Sequence, residues 1–173
     1  PNQDGAETPA YVYSHYFLGR RATALARIDL LNKLSQNFDV TVYTHADCKD
    51  ILPTAIYGGK IDYYDTMPTV FQHSKINLNI TLKTIQTGIP LRAWDILGCS
   101  GFLLTNFQQE LCDFFIPGED FVYYESPADA IEKAAYFLSH DRERQAIAHN
   151  AFEKIAASHT FHHRVQSMFE IIT

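Results

Sequence analysis

Apolar residues recur along this chain with two periods, and the switches between them mark out the elements. From Arg20 to about Gln36, Ala24, Leu25, Ile28, Leu31 and Leu34 fall at helical spacing and predict an amphipathic helix. Ahead of it, Tyr11-Val12-Tyr13 suggests a short strand and Ser14 to Gly19 a loop leading into the helix. Asp39-Val40-Thr41-Val42-Tyr43-Thr44 is rich in β-branched and aromatic residues and stops at His45-Ala46-Asp47, which predicts a strand ending in a loop. Cys48 to Lys60, broken by Pro53 and Gly58-Gly59, predicts a loop. Ile61-Asp62-Tyr63-Tyr64 suggests a brief strand, and Thr66 to Ser74 a short helix with Pro68 in its first turn. In the strand Lys75 to Ile80, Ile76, Leu78 and Ile80 face one way and Asn77 and Asn79 the other, where an Asn can hydrogen-bond the following loop.

The stretch from Gly88 to Gly101 predicts loop, short helix and tight turn, with Phe102-Leu103-Leu104-Thr105 as a buried strand. Gln108 to Phe115 follows as a short helix, Ile116 to Asp120 as a turn and Phe121 to Tyr124 as a last strand. Ser126 caps a helix through about Leu138 with Pro127 at its first position, Asp141 caps another through about Ala157, and Thr160 a third through Ile172. Alternating strands and helices followed by helices alone predict an α/β fold: a Rossmann-like parallel sheet with helices on both faces and a helical C-terminal run. Residues 1–10 are polar and suggest a disordered or linker segment, leaving 11–173 as a single domain.

Chemistry concentrates in the central stretch. Pro90 suits the first turn of a helix, and Gly88 upstream leaves room for a close ligand. Arg92 and Asp95, three apart, share a face near the helix end whose free N–H groups and dipole favour an anion. A guanidinium there can take phosphate oxygens through its planar fork while the carboxylate accepts hydroxyls of a sugar or ribose. The spacing by itself favours the simpler reading, a surface ion pair. Thr44 and His45, at the carboxyl end of a predicted strand, are candidate ligand contacts or incidental loop residues. Glu119-Asp120 after Pro117-Gly118 reads as turn chemistry, and His159, His162 and His163 have spacing that allows a metal but lack the Glu of H-E-x-x-H.

A length of 173 residues with 46% apolar content suffices for a sizeable core. The net charge of −6 argues against a nucleic-acid or anionic-membrane surface. Cys48, Cys99 and Cys112 give no disulfide framework, which suits a reducing, cytoplasmic compartment. Neither a spanning apolar run nor a signal peptide is evident, and the absence of an initiator Met suggests an excised or processed piece.

Lys75-Ile76-Asn77-Leu78-Asn79, the run Gly88 to Gly101, Phe121-Val122-Tyr123-Tyr124 and His159-Thr160-Phe161-His162-His163-Arg164-Val165 together resemble the C-terminal, donor-binding half of group 1 glycosyltransferases, most closely the branch related to spore-maturation glycosyltransferases. The resemblance implies a GT-B C-terminal domain that binds a nucleotide-sugar donor, needs no metal or other cofactor, and acts on an unknown acceptor with an N-terminal domain that is missing here. It places Arg92 and Asp95 in the catalytic role. Donor contacts then fall to Gly88, Ile89, Pro90 and Leu91, to Gly19, Arg20 and Arg21 at an expected strand-to-helix junction, and to Thr44 and His45. Paired basic residues at a helix start are otherwise simply solvated. Two positions depart from the pattern. Thr87 stands where many relatives carry the first acid of Glu-x7-Glu, with the shorter Asp95 at the second, and the usual Cys-Gly turn is Cys99-Ser100-Gly101. The competing expectations are a Rossmann-like interaction module with a degenerate donor site and, more remotely, a flavodoxin-like or receiver-type domain.

Overall fold

The computed structural model describes residues 8–85 and 87–172. Most of the stretch expected to be linker, 1–10, lies outside the described residues; at its end Thr8 caps a helix and Pro9 and Ala10 belong to it. Two compact units emerge, Pro1–Lys60 with Ile80–Gly88, and Ile61–Asn79 with Ile89–Thr173.

In the first unit, α1 (Pro9–Val12) and a π-helical run (Tyr13–Gly19) stand where the sequence suggests a strand and a loop, and they continue into α2 (Arg20–Ser35), the helix expected there. The aromatic residues that read as strand formers pair instead at helical spacing. Tyr11 stacks on His15 with ring centroids 4.1 Å apart, and Tyr13 on Phe17 at 5.9 Å. The Thr8 hydroxyl accepts the Tyr11 N–H at 3.1 Å and starts the run. Thr23, Leu30 and Leu34 are buried along α2, whereas Leu25, expected on the apolar stripe, is 52% exposed.

Two short strands, β1 (Thr41–Tyr43) and β2 (Ile56–Gly59), pair in parallel with Thr41 opposite Ile56. The second lies in the stretch read as a loop. Its first glycine acts as fit rather than as a breaker, since a Cβ on Gly58 would stand 2.6 Å from the Tyr43 ring, whereas Gly59 takes a left-handed φ of +73° with open space around it.

The second unit opens with a turn at 61–66 in place of the expected strand, because the Asp62 carboxylate accepts the N–H groups of Tyr64 and Asp65, each at 2.8 Å. Then come α3 (Met67–His73), β3 (Asn77–Asn79), α4 (Leu91–Gly98), β4 (Leu103–Asn106), a 3₁₀ turn (Gln109–Asp113), β5 (Val122–Tyr124), α5 (Pro127–Ser139), α6 (Asp141–Ser158) and α7 (Phe161–Ile172). The sheet is parallel in the order β3-β4-β5, with Asn77 opposite Leu103 and Leu104 opposite Val122. Short parallel strands flanked by helices, closed by a helical run, make the Rossmann-like α/β arrangement expected from the alternation.

The central strand β4 is buried throughout Leu103, Leu104 and Thr105. Ala93, Ile96 and Leu97 of α4 meet Leu103, Leu111, Phe115, Phe121 and Ala151 in one core. At roughly 1.5–3 kcal/mol for each large side chain removed from water, this cluster fixes α4 firmly. The inward asparagines of β3 tie the frame together. Asn77 donates to the Phe71 carbonyl at 2.9 Å and Asn79 to the Thr105 hydroxyl at 3.0 Å.

Candidate functional site at the start of α4

Pro90 does not lie in the first turn of α4 but just before it, as the capping residue, with φ −63° and ψ 137°. Its ring fixes φ, and the extended ψ turns the chain into the helix at Leu91. Ile89, half-buried, packs on the core on the near side, and Ala93, Ile96 and Leu97 bury the inner face. Trp94 closes the flank against Phe114, Phe115 and His159. Leu91, 76% exposed, and Arg92, also exposed, remain on the outer side, with Asp95 half-buried on the following turn.

Arg92 and Asp95 are not among the ion pairs of the described residues. Asp95 is instead the acceptor of the Tyr63 hydroxyl, at 2.5 Å. That hydrogen bond, with burial and the negative charge behind it, raises the Tyr63 phenol above its ordinary pKa and keeps its proton in place. One turn further along α4, burial and then the Asp95 charge push the Cys99 thiol up, so it is poorly suited to act as a thiolate nucleophile.

The turn after α4 explains the displaced glycine. Ser100 adopts the left-handed conformation, φ 56°, its N–H bonds to the Leu97 carbonyl at 3.1 Å, and the Gly101 N–H reaches the Ile96 carbonyl at 2.9 Å. This pair of bonds is the Schellman closure of a helix, with serine in the place glycine usually takes. Glycine stands one residue later for lack of room: a Cβ on Gly101 would lie 2.8 Å from both the Phe71 carbonyl oxygen and the Asn77 amide nitrogen.

A shallow cleft of about 410 Å³ lies beside this turn, lined by residues that include Pro68, Gln72, Cys99, Ser100, His149 and Phe152. It sits at the carbonyl end of α4, opposite to the end that carries Arg92, so the helix dipole disfavours an anion there.

The other predicted contacts belong to the first unit. Gly19, Arg20 and Arg21 stand inside continuous helix and not at a strand-to-helix junction, so no free helix N-terminus accompanies them. A Cβ on Gly19 would lie 2.0 Å from the Thr84 methyl, which accounts for the glycine by packing, and Arg20 lies over the Tyr16 ring at 5.4 Å. The Thr44 N–H continues the strand pairing by donating to the Gly59 carbonyl at 2.9 Å, and His45 is exposed in the bend beyond β1. Gly88 has φ +98° with nothing within 4 Å of where a Cβ would stand.

Asp120, read as turn chemistry, accepts the Ile116 N–H at 2.6 Å and also pairs with Lys154 of α6 while 1% exposed; its other carboxylate oxygen is buried with no hydrogen-bond partner among the described residues. The sequence gives no hint of that long-range pairing. His159 sits in the aromatic cluster, His163 shares a hydrogen bond with Thr160 at 2.7 Å, and among the described residues no three His, Cys, Asp or Glu side chains converge as metal ligands. Tyr63 is the residue that sequence reasoning missed. The sequence places it in a brief strand, and nothing local connects it to Asp95.

The fold and the site define a Rossmann-like α/β protein whose exposed arginine and carboxylate stand at the start of the helix leading into the central strand. A family model described as glycosyl transferase-like matches residues 20–170, and the chain belongs to that family. No curated protein matches it. Among the described residues no helix is long and apolar enough to cross a membrane.

Proposed function

We propose that the chain binds the nucleotide-sugar donor of a glycosyl transfer at the start of α4, as the donor half of a GT-B enzyme. The observation that carries the reading is the arrangement of α4 itself: its inner face is locked into the core, while Arg92 is exposed at its first turn and Asp95 stands on the next. In this reading Arg92 and the first N–H groups of α4, after Ile89, Pro90 and Leu91, face the donor diphosphate, and Asp95 accepts hydroxyls of the sugar or ribose. As the acceptor oxygen forms its bond to the anomeric carbon, the bond to the donor phosphate oxygen breaks and negative charge grows on the departing diphosphate. The Arg92 guanidinium, carried on a helix anchored in the core, and the helix end itself stabilise that charge where it develops.

The test is calorimetric titration of the chain with UDP-, GDP- and ADP-sugars. One of them binds, and Arg92→Ala weakens it by about 10- to 100-fold, the worth of a hydrogen bond between charged groups. No binding by any donor, or binding indifferent to the substitution, overturns the proposal and leaves an interaction module as the better description.

A further inference from the structure

The Tyr63 hydroxyl has a single proton, and that proton is given to one oxygen of Asp95, Oδ2, at 2.5 Å. Among the described residues this is the one hydrogen bond made by the Asp95 side chain, so Oδ1 keeps its lone pairs, and so does the outward side of the phenol oxygen. Both groups reach solvent: Tyr63 is 46% exposed and Asp95 is half-buried. Neither is loose. Asp95 is carried by α4, and Tyr63 by the turn that Asp62 closes, its ring edge-on to Tyr64 with centroids 5.2 Å apart. The raised phenol pKa keeps the proton on Tyr63 at neutral pH, which preserves the pattern.

The result is two adjacent acceptors joined by a hydrogen bond and held by separate elements. Two adjacent donors are what such a pair recognises, and neighbouring ring hydroxyls supply them. We propose that Tyr63 and Asp95 act as one composite acceptor for a vicinal diol, with Tyr63 as a specificity-determining residue of the donor site. The inference rests on the donor reading above. A diol of this kind is offered both by the ribose and by the transferred sugar.

Calorimetry on the chain and on Tyr63→Phe, with UDP, GDP, ADP, their 2′-deoxy counterparts and the matching nucleotide-sugars, separates the sources. Loss of one hydrogen bond predicts binding weaker by about three- to tenfold. If the diol is the ribose, Tyr63→Phe weakens the free nucleotide and shrinks the preference for ribose over 2′-deoxyribose, which a purely structural role leaves unchanged. If it belongs to the sugar, only the nucleotide-sugar weakens. Because the side chain is exposed, the melting temperature should stay within about 2 °C of wild type. Unchanged affinities and preferences in Tyr63→Phe, with Arg92→Ala still weakening donor, overturn the composite site and spare the donor reading. Absence of any nucleotide binding to the wild-type chain overturns both.

Discussion

The two units are built on the same parallel pairing, yet they solve the problem of water differently. In the unit of β3, β4 and β5, the middle strand has a neighbour on each side and buries Leu103, Leu104 and Thr105 almost completely. The unit of β1 and β2 has two strands with no fully buried position in either. Parallel pairing is ordinarily covered on both faces, so the first arrangement is the self-sufficient one. The difference shows where a ligand can be held in fixed geometry. Arg92 and Asp95 ride on a helix anchored by the buried cluster, whereas Thr44 and His45 end a strand that is itself half in solvent.

The contrast breaks most visibly by truncation. Phe121→Ala, which empties a fully buried position beside Leu103 and Phe115, should cost about 3–5 kcal/mol, whereas Ile56→Ala, on a residue 53% exposed, should cost below about 1 kcal/mol. Urea unfolding followed by circular dichroism and by the fluorescence of Trp94, the single tryptophan, measures both. Equal losses would show that the unit of β1 and β2 depends on packing as strongly as the other.

A smaller effect sharpens the picture at the end of α4. Gly101→Ala pushes a methyl against two backbone carbonyls, those of Phe71 and Ile96, at 2.8 and 3.0 Å, and should cost about 1–3 kcal/mol through overpacking. Ser100→Gly relieves a left-handed serine and should stabilise by about 0.5–1 kcal/mol. Opposite signs at neighbouring positions are the signature of a turn in which one residue is limited by backbone conformation and the next by space. Thermal denaturation of the two variants reads the signs directly, and losses at both positions would refute the division of labour.

Much of this frame is legible in the residues, because its signals are local. The Ser126 hydroxyl accepts the Asp129 N–H at 3.2 Å and Pro127 opens α5, as the cap pattern implies, and α4 forms where the stretch from Gly88 to Gly101 predicts a short helix. What escaped is tertiary or ambiguous. Tyr11 and Tyr13 carry strand propensity, yet the Thr8 cap and i, i+4 stacking on His15 and Phe17 recruit them into helix. The glycines of β2 look like breakers until the Tyr43 ring is placed over one of them. At the candidate site, Arg92 and Asp95 can be assigned to one helix from spacing alone, but the partner of Asp95 stands 32 residues away in a turn. No period in the chain connects them.

Even the well-packed unit has a point where water chemistry enters, and it yields the smallest predicted effect. His159 stands against Trp94, Phe114 and Phe115, and burial first, then the charges of Arg164 and His163, lower its pKa below the ordinary 6.5. Above that value the ring is neutral in both folded and unfolded chains. As pH falls through it, the unfolded ensemble takes up a proton that the folded protein declines, so stability is lost from about 6.5 down to the lower folded pKa and levels off beneath it. The loss should stay below about 1 kcal/mol, because the ring is only half-buried. Chemical denaturation at pH 7.5 and 5.5 isolates it as the part of the acid loss that His159→Gln abolishes. If the substituted protein loses as much as wild type between those pH values, the aromatic cluster tolerates the charged ring and the edge of this core is as wet as the strands of the other unit.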